Sequence, residues 1–61
     1  MYKVALVSMK NGVLPLQSFA TRPEADEYIL KIAEQEGVKT GYIENEETGE
    51  REKIGEIKWL N

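Results

Sequence analysis

The side chains of this 61-residue sequence that could do chemistry are mainly carboxylates and hydroxyls. The chain has 11 acidic residues but no His and no Cys. It therefore lacks the commonest general base at neutral pH and the commonest metal ligand, and it cannot form a disulfide or a thiolate metal site. Its hydroxyls have no His to activate them, and no glycine-rich phosphate-binding pattern is present. These features predict a non-enzymatic protein with no catalytic, metal-binding or cofactor-binding residues and no small-molecule substrate.

The densest group of carboxylates lies in residues 44–52, ENEETGERE, and its spacing partly resembles a calcium-binding loop. The twelfth position of an EF-hand pattern would be Gly55 instead of a bidentate Glu, and the flanking segments have the character of strands instead of helices. We therefore predict a solvated hairpin tip whose charges favour solubility and discourage edge pairing. The residues at the first, third, fifth and sixth EF-hand positions are Glu44, Glu46, Thr48 and Gly49.

A helix between Thr21 and Gly37 is predicted to organise the rest of the chain. Thr21 and Glu24 fit a capping box, and Gly37 suits the left-handed position after the last helical residue. A helix of about 15 residues is marginal alone in water, so it needs a surface to lie on. Its apolar stripe, spaced for a helix and not for a strand, is Ala25, Tyr28, Ile29, Ile32 and Ala33.

Two apolar runs, residues 2–10 and 13–20, precede this helix. They flank Asn11-Gly12, a dipeptide that predicts a β-hairpin with a two-residue type I′ turn. Such a short loop fixes the register of the two strands.

The predicted register places Val7 opposite Leu16 and Val4 opposite Phe19. Proline cannot donate a hydrogen bond to a ladder, so Pro15 predicts that the second strand is an edge or carries a bulge. The first strand is then expected to lie inside the sheet.

The same register sorts the side chains of this hairpin onto two faces, both substantially apolar. The first face contains Ala5, Val7, Met9, Leu14 and Leu16, with Ser18. The second contains Tyr2, Val4, Leu6, Val13, Pro15 and Phe19, with Ser8 and Gln17. We expect the first face to pack against the helix because it is the more uniform.

Residues 40–46 and 51–60 are predicted to form a second, more polar hairpin. Its turn spans residues 47–50, where Gly49 suits a left-handed position. The chain is thus predicted to be a single α+β domain, residues 1–61, with ββαββ order and a four-stranded antiparallel sheet that has one helix on one face. We expect the strand order 2-1-3-4. The apolar members of the second hairpin are Tyr42, Ile43, Ile54, Ile57, Trp59 and Leu60.

The net charge of −3 comes entirely from the last third of the chain. Residues 1–43 carry five basic and five acidic residues, whereas residues 44–61 carry three basic and six acidic ones. No run approaches the roughly 20 apolar residues of a membrane span, and no signal-peptide pattern is present, so we expect a cytoplasmic protein. Domains this small often rely on disulfides, metals or oligomerisation, and here oligomerisation is the remaining device.

A single helix leaves one face of such a sheet uncovered, and monomeric proteins rarely expose large contiguous apolar patches. We therefore expect a protein-interaction module whose uncovered face binds a second copy, as a homodimer, or another protein. Alternatively, the twist of the sheet hides these side chains, with Trp59 or Tyr2 folded over them. The predicted interface residues are Tyr2, Val4, Leu6, Val13, Phe19 and Leu30.

The alternative function is that of a nucleic-acid-binding accessory protein that uses the first hairpin and the start of the helix. Lys10 and Arg22 could contact phosphates, and Tyr2, Tyr42 and Trp59 could stack on bases. These residues do not cluster in sequence, and the acidic tip would repel a nucleic-acid backbone. We therefore expect ordinary solubilising lysines and core aromatics instead.

Residues 18–25, SFATRPEA, contain the pattern F-x-T-x-x-E-A, in which Phe19 anchors the chain before the Thr21 cap. This pattern resembles the helix start of small bacterial ββαββ domains of unknown function, a resemblance that implies the fold. A similar helix start occurs in the arm-type DNA-binding domains of tyrosine recombinases, where three strands precede the helix. Here only two strands precede it and the charge balance is acidic.

Overall fold

The computed structural model describes residues 1–58, which form one α-helix and one antiparallel β-sheet. The predicted α+β class and ββαββ order are confirmed, with the second predicted strand divided into two short pieces. Trp59 and Leu60, assigned to the last strand from the sequence, lie outside the described residues. The elements are β1 (Tyr2–Ser8), β2 (Gly12–Val13), β3 (Gln17–Phe19), α1 (Arg22–Gln35), β4 (Val38–Asn45) and β5 (Arg51–Ile54).

The first strand, β1, lies in the middle of the sheet. Both β2 and β3 pair with one side of it, β4 pairs with the other side, and β5 pairs with β4. This is the predicted order 2-1-3-4, in which the second predicted strand corresponds to β2 and β3, the third to β4 and the fourth to β5. All neighbours are antiparallel, since each hairpin joins adjacent strands and the helix returns the chain so that β4 runs opposite to β1.

Both ends of α1 form as their residues predict. Thr21 is extended (φ −129°, ψ 158°), and its Oγ1 accepts a hydrogen bond from the Glu24 amide. At the other end Gly37 adopts φ +75°, and its amide donates to the carbonyls of Ile32 and Ala33. These contacts satisfy backbone groups that the helix itself leaves without partners.

The helix covers the face of β1 that carries Val4 and Leu6. Both side chains are fully or almost fully buried, at 0% and 2% exposure. The expectation that the Ala5 and Val7 face packs against the helix is therefore wrong. The reason is Lys3, which alternates onto that same face and whose ammonium would be costly to bury beneath a helix. The rest of the core is Ala25, Ile29, Ile32, Ala33, Val38 and Ile43.

The first turn lies earlier in the chain than Asn11-Gly12 predicts. Ser8 pairs with Gly12, so the loop consists of residues 9–11. The Ser8 hydroxyl accepts hydrogen bonds from the amides of Lys10 (3.1 Å) and Asn11 (2.9 Å), and this side-chain contact competes with a type I′ turn. Only Gly12 takes a left-handed conformation, at φ +76°.

Pro15 lies in the break between β2 and β3, at the edge of the sheet, as its missing N–H predicts. Val7 pairs with Val13 but Val4 pairs with Gln17, so the edge strand contains one extra residue between these pairs. This bulge places Val13 on the same side of the sheet as Val7. The predicted pairings of Val7 with Leu16 and of Val4 with Phe19 are therefore wrong.

The second hairpin turns where the sequence predicts. Gly49 is left-handed at φ +77°, and its amide donates to the carbonyl of Asn45 at 2.7 Å. The bridge between Val38 and Ile57 extends the pairing of this hairpin beyond β5. No helix within residues 1–58 is long and apolar enough to cross a membrane.

A polar cluster joins the first turn to the end of the helix. The Glu36 carboxylate accepts hydrogen bonds from the Ser8 hydroxyl (2.7 Å) and the Asn11 side-chain amide (2.5 Å). The Met9 amide adds a bond to the Gly37 carbonyl at 3.1 Å. Hydrogen bonds from Asn11 and Ser8 lower the pKa of Glu36 from its ordinary value of 4.5. The carboxylate would otherwise be unfavourable at the negative end of the helix dipole.

Gly41 lets β4 pack closely beside β1. A Cβ at this position would overlap the carbonyl oxygen of Ala5 and lie 2.8 Å from Cδ2 of Leu6. The contact with Ala5 involves backbone, which can yield only if the strands move apart. We therefore expect Gly41→Ala to lower the free energy of unfolding by about 2 kcal/mol or more.

Chemical denaturation measures this loss, and Gly55→Ala is the matched control. A Cβ at Gly55 meets nothing within 4 Å. Equal stability of the two variants would contradict the close approach of β1 and β4.

Glu36→Gln tests the polar cluster through pH. A carboxylate with a lowered pKa stabilises the fold above its unfolded pKa, and this contribution is lost as pH falls through the folded pKa. We therefore expect part of the acid sensitivity of the melting temperature below about pH 4.5 to disappear in Glu36→Gln. Thermal melts across that range check this, with Glu27→Gln as a control of equal charge change. An unchanged pH profile would contradict the role of Glu36.

Candidate interaction surface

The helix leaves the opposite side of the sheet uncovered. This side is the outer face of the sheet. Strand alternation and the observed pairings define its members. On β1 and β4 it carries Lys3, Ala5, Val7, Thr40, Tyr42 and Glu44, and on β5 it carries Arg51 and Lys53. From the first hairpin it gains Val13, Leu16 and Ser18.

One half of the outer face is apolar. A groove of about 270 Å³ runs across β1 between the first hairpin and β4, and its floor includes Leu6, Leu14 and Gly41. Val13 and Leu16 line the groove, and their exposed fractions are 81% and 58%. The apolar patch consists of Ala5, Val7, Val13, Leu16 and Tyr42.

The other half of the outer face is charged. The Arg51 guanidinium donates to the Glu44 carboxylate at 2.6 Å and lies 4.5 Å from the ring centre of Tyr42. The hydrogen bond and charge of Glu44 raise the pKa of Arg51, which stays cationic. Lys3 and Lys53 make no ion pair with any residue of the described chain. The outer face is thus locally basic on a chain of net charge −3.

The predicted interface residues are divided between the core and the surface. Val4 and Leu6 are core residues beneath the helix, so they cannot form the uncovered face. Tyr2 and Phe19 are half-buried and pack against that core, and the Phe19 ring lies 5.3 Å from that of Tyr28.

Val13 and Leu30 are the two predicted interface residues that are exposed. Val13 belongs to the apolar patch, whereas Leu30, 57% exposed, lies on the helix side of the molecule. Sequence reasoning did not select Ala5, Val7 or Leu16 for the interface. The signal that could have found them is Lys3, because its alternation with Ala5 and Val7 marks their face as solvent-facing.

The two predicted phosphate contacts, Lys10 and Arg22, lie at opposite ends of the sheet. Lys10 follows the end of β1, whereas Arg22 begins the helix near the start of β1. Arg22 also forms ion pairs with Asp26 and Glu52, both at 3.1 Å. The structure therefore does not bring these residues together into one basic site.

The acidic tip is a hydrogen-bonded turn. The Asn45 side chain accepts from the Glu47 amide (3.0 Å), and Thr48 Oγ1 accepts from the Glu50 amide (3.2 Å). Within residues 1–58 no group of three or more acidic residues is arranged to hold a metal ion. The oxygens of Asn45 and Thr48 are directed to the backbone of the turn.

No protein-family model matches the chain, and no curated protein or solved structure is significantly similar to it. The surface itself is therefore the basis for inferring function.

Leu6 and Leu16 offer a matched pair that tests which face is covered. Leu6 is buried and Leu16 is exposed. We expect Leu6→Ala to cost about 2–5 kcal/mol of unfolding free energy, because it leaves a cavity, and Leu16→Ala to cost about 0.5 kcal/mol or less. Urea denaturation at low protein concentration measures both. The reverse ranking would contradict the packing of the helix on the Leu6 face.

Proposed function

We propose that this protein is a non-enzymatic protein-interaction module that forms a homodimer through the outer face of its sheet. The observation that carries this proposal is the apolar patch, in which Val13 and Leu16 are largely exposed next to an apolar groove. Removing such a patch from water is favourable by roughly 25 cal/mol per Å². The non-enzymatic part rests on the absence of His and Cys from the sequence.

The size of the protein favours a second copy as the occupant. A 61-residue chain without Cys builds a small core, and pairing two sheets would double it. The Cα atoms span 34 × 17 × 16 Å. A side of 34 × 17 Å is roughly 600 Å² before side chains are added, so burying the ~800 Å² per partner of a specific interface would take most of one side of the molecule.

The distribution of charge on the outer face is compatible with two-fold symmetry. The apolar patch lies toward the first hairpin, whereas Glu44, Arg51 and Lys53 lie toward β5. A two-fold axis through Val7 would stack the two patches on each other. It would carry the charged strands to opposite rims, where they stay hydrated and apart. The charges of Arg51 and Lys53 are then not forced together at the centre.

Val13→Glu tests the dimer directly. Val13 is 81% exposed, so a carboxylate there should leave the monomer folded while placing a charge in the centre of the interface. We expect the unmodified protein to have twice the monomer mass and Val13→Glu to have the monomer mass. Light scattering after size-exclusion chromatography, at two concentrations tenfold apart, measures this.

Leu30→Glu is the matched control. Leu30 is also an exposed apolar residue, but it lies on the helix. This variant should remain dimeric. A monomeric unmodified protein would overturn the homodimer, and loss of association in Leu30→Glu alone would move the interface to the helix side.

A further inference from the structure

Within residues 1–58, the outer edge of β5 has backbone groups that no strand pairs with. The Asn45 amide donates to the Glu50 carbonyl at 2.8 Å, so the backbone of Glu50 points toward β4. Backbone groups alternate in direction along an antiparallel strand, so those of Glu52 and Ile54 also point to β4. Those of Arg51 and Lys53 point away, and within residues 1–58 no strand pairs with them.

This edge is more regular than the one on the other side of the sheet. The edge opposite β5 is broken by Pro15 and the bulge into strands of two and three residues. In contrast, β5 is an unbroken four-residue strand, and the bridge at Ile57 continues its line along β4. An added strand would therefore find its longest partner at β5.

The side chains along β5 disfavour pairing with a second copy of the same edge. Directly opposite residues of an antiparallel pair share a face, so Arg51 and Lys53 would meet Arg51 or Lys53 of the other copy. Any such register places like charges opposite each other, which is destabilising. A strand with carboxylates at these positions would have the opposite effect.

We propose that the β5 edge binds an extended acidic segment of another protein by β-strand addition. Carboxylates at alternate positions of the segment would face Arg51 and Lys53 on the outer face. The residue between them would lie opposite Glu52 on the helix side, where Glu52 is already paired with Arg22. The backbone groups of Arg51 and Lys53 would supply the hydrogen bonds. This inference does not require the homodimer, since the outward backbone groups of Arg51 and Lys53 lie on the side of β5 that faces away from β4 and the apolar patch.

A peptide of eight residues in which Glu alternates with Val is a suitable probe. In the free protein, the amides of Arg51 and Lys53 should exchange with solvent faster than those of Glu52 and Ile54. Hydrogen exchange followed by NMR should show the Arg51 and Lys53 amides becoming protected when the peptide is added. Two peptides serve as controls: one with Lys in place of Glu, and one with the same residues in two blocks.

A proline substitution separates the backbone contribution from the charge. Lys53→Ala removes the ammonium and its aliphatic stem but keeps the backbone amide, and it should weaken peptide binding about threefold. Lys53→Pro also removes the outward amide, while the hydrogen bonds of Glu52 and Ile54 to β4 remain, as edge strands allow. We expect a further loss of about fivefold in Lys53→Pro. Titration by NMR or calorimetry measures both variants.

Three results would overturn the proposal. Equal affinities of Lys53→Pro and Lys53→Ala would show that the edge backbone is not used. Protection of the Arg51 and Lys53 amides that rises with protein concentration and needs no peptide would assign the edge to a second copy. Binding of a single-stranded oligonucleotide, but not of the acidic peptide, would assign the basic edge to nucleic acid.

Discussion

The constraint on which the rest of this structure depends is that one helix covers one face of a four-strand-wide sheet. The helix α1 is 14 residues long, about 21 Å, and only about 10 Å across. Its buried stripe meets Val4 and Leu6 of the central strand, which are the largest fully buried side chains together with Val38. Among residues 1–58, no helix or strand packs on the opposite side of that strand.

The position of β1 makes this constraint decisive for both faces. Side chains of the central strand β1 alternate between the core and the outer face. Once Val4 and Leu6 face the helix, Lys3, Ala5 and Val7 must lie on the outer face. Gly41 allows β4 to approach β1 closely at Leu6, and the Glu36 cluster ties the first turn to the helix end. The first contact joins the two hairpins, and the second joins the first hairpin to the helix.

Helix ends, turns and the edge strand are predictable from the sequence because a few neighbouring residues determine them. Those residues do not determine which face of β1 packs against the helix. The caps at Thr21 and Gly37, the left-handed Gly49 and the edge position of Pro15 each follow from the chemistry of one or two residues. The strand order follows from the edge position of Pro15, because it leaves β1 as the partner of β4.

The failures come from interactions that the pattern of apolar residues does not contain. The Ser8 hydroxyl replaces the expected turn by capturing two backbone amides, and the bulge then moves Val13 to the outer face. The greater uniformity of the Ala5 and Val7 face favoured the wrong one. Both faces are substantially apolar, and Lys3, which alternates onto that face, carries a charge that would be costly to bury. The apolar patch was therefore missed except for Val13.

The outer face combines two surfaces that differ in what they can recognise. The apolar patch offers area but no directed bonds, so it suits a broad and self-complementary contact. The β5 edge offers directed backbone bonds and basic side chains, so it suits a narrow, extended and acidic partner. Tyr42 lies at the boundary, since its ring lines the groove and lies under the Arg51 guanidinium. The Arg51 guanidinium covers this ring and is already paired with Glu44. Lys53 has no ion pair within residues 1–58. Lys53 is therefore the cation of β5 on the outer face that an acidic strand could meet without breaking an ion pair of the described chain.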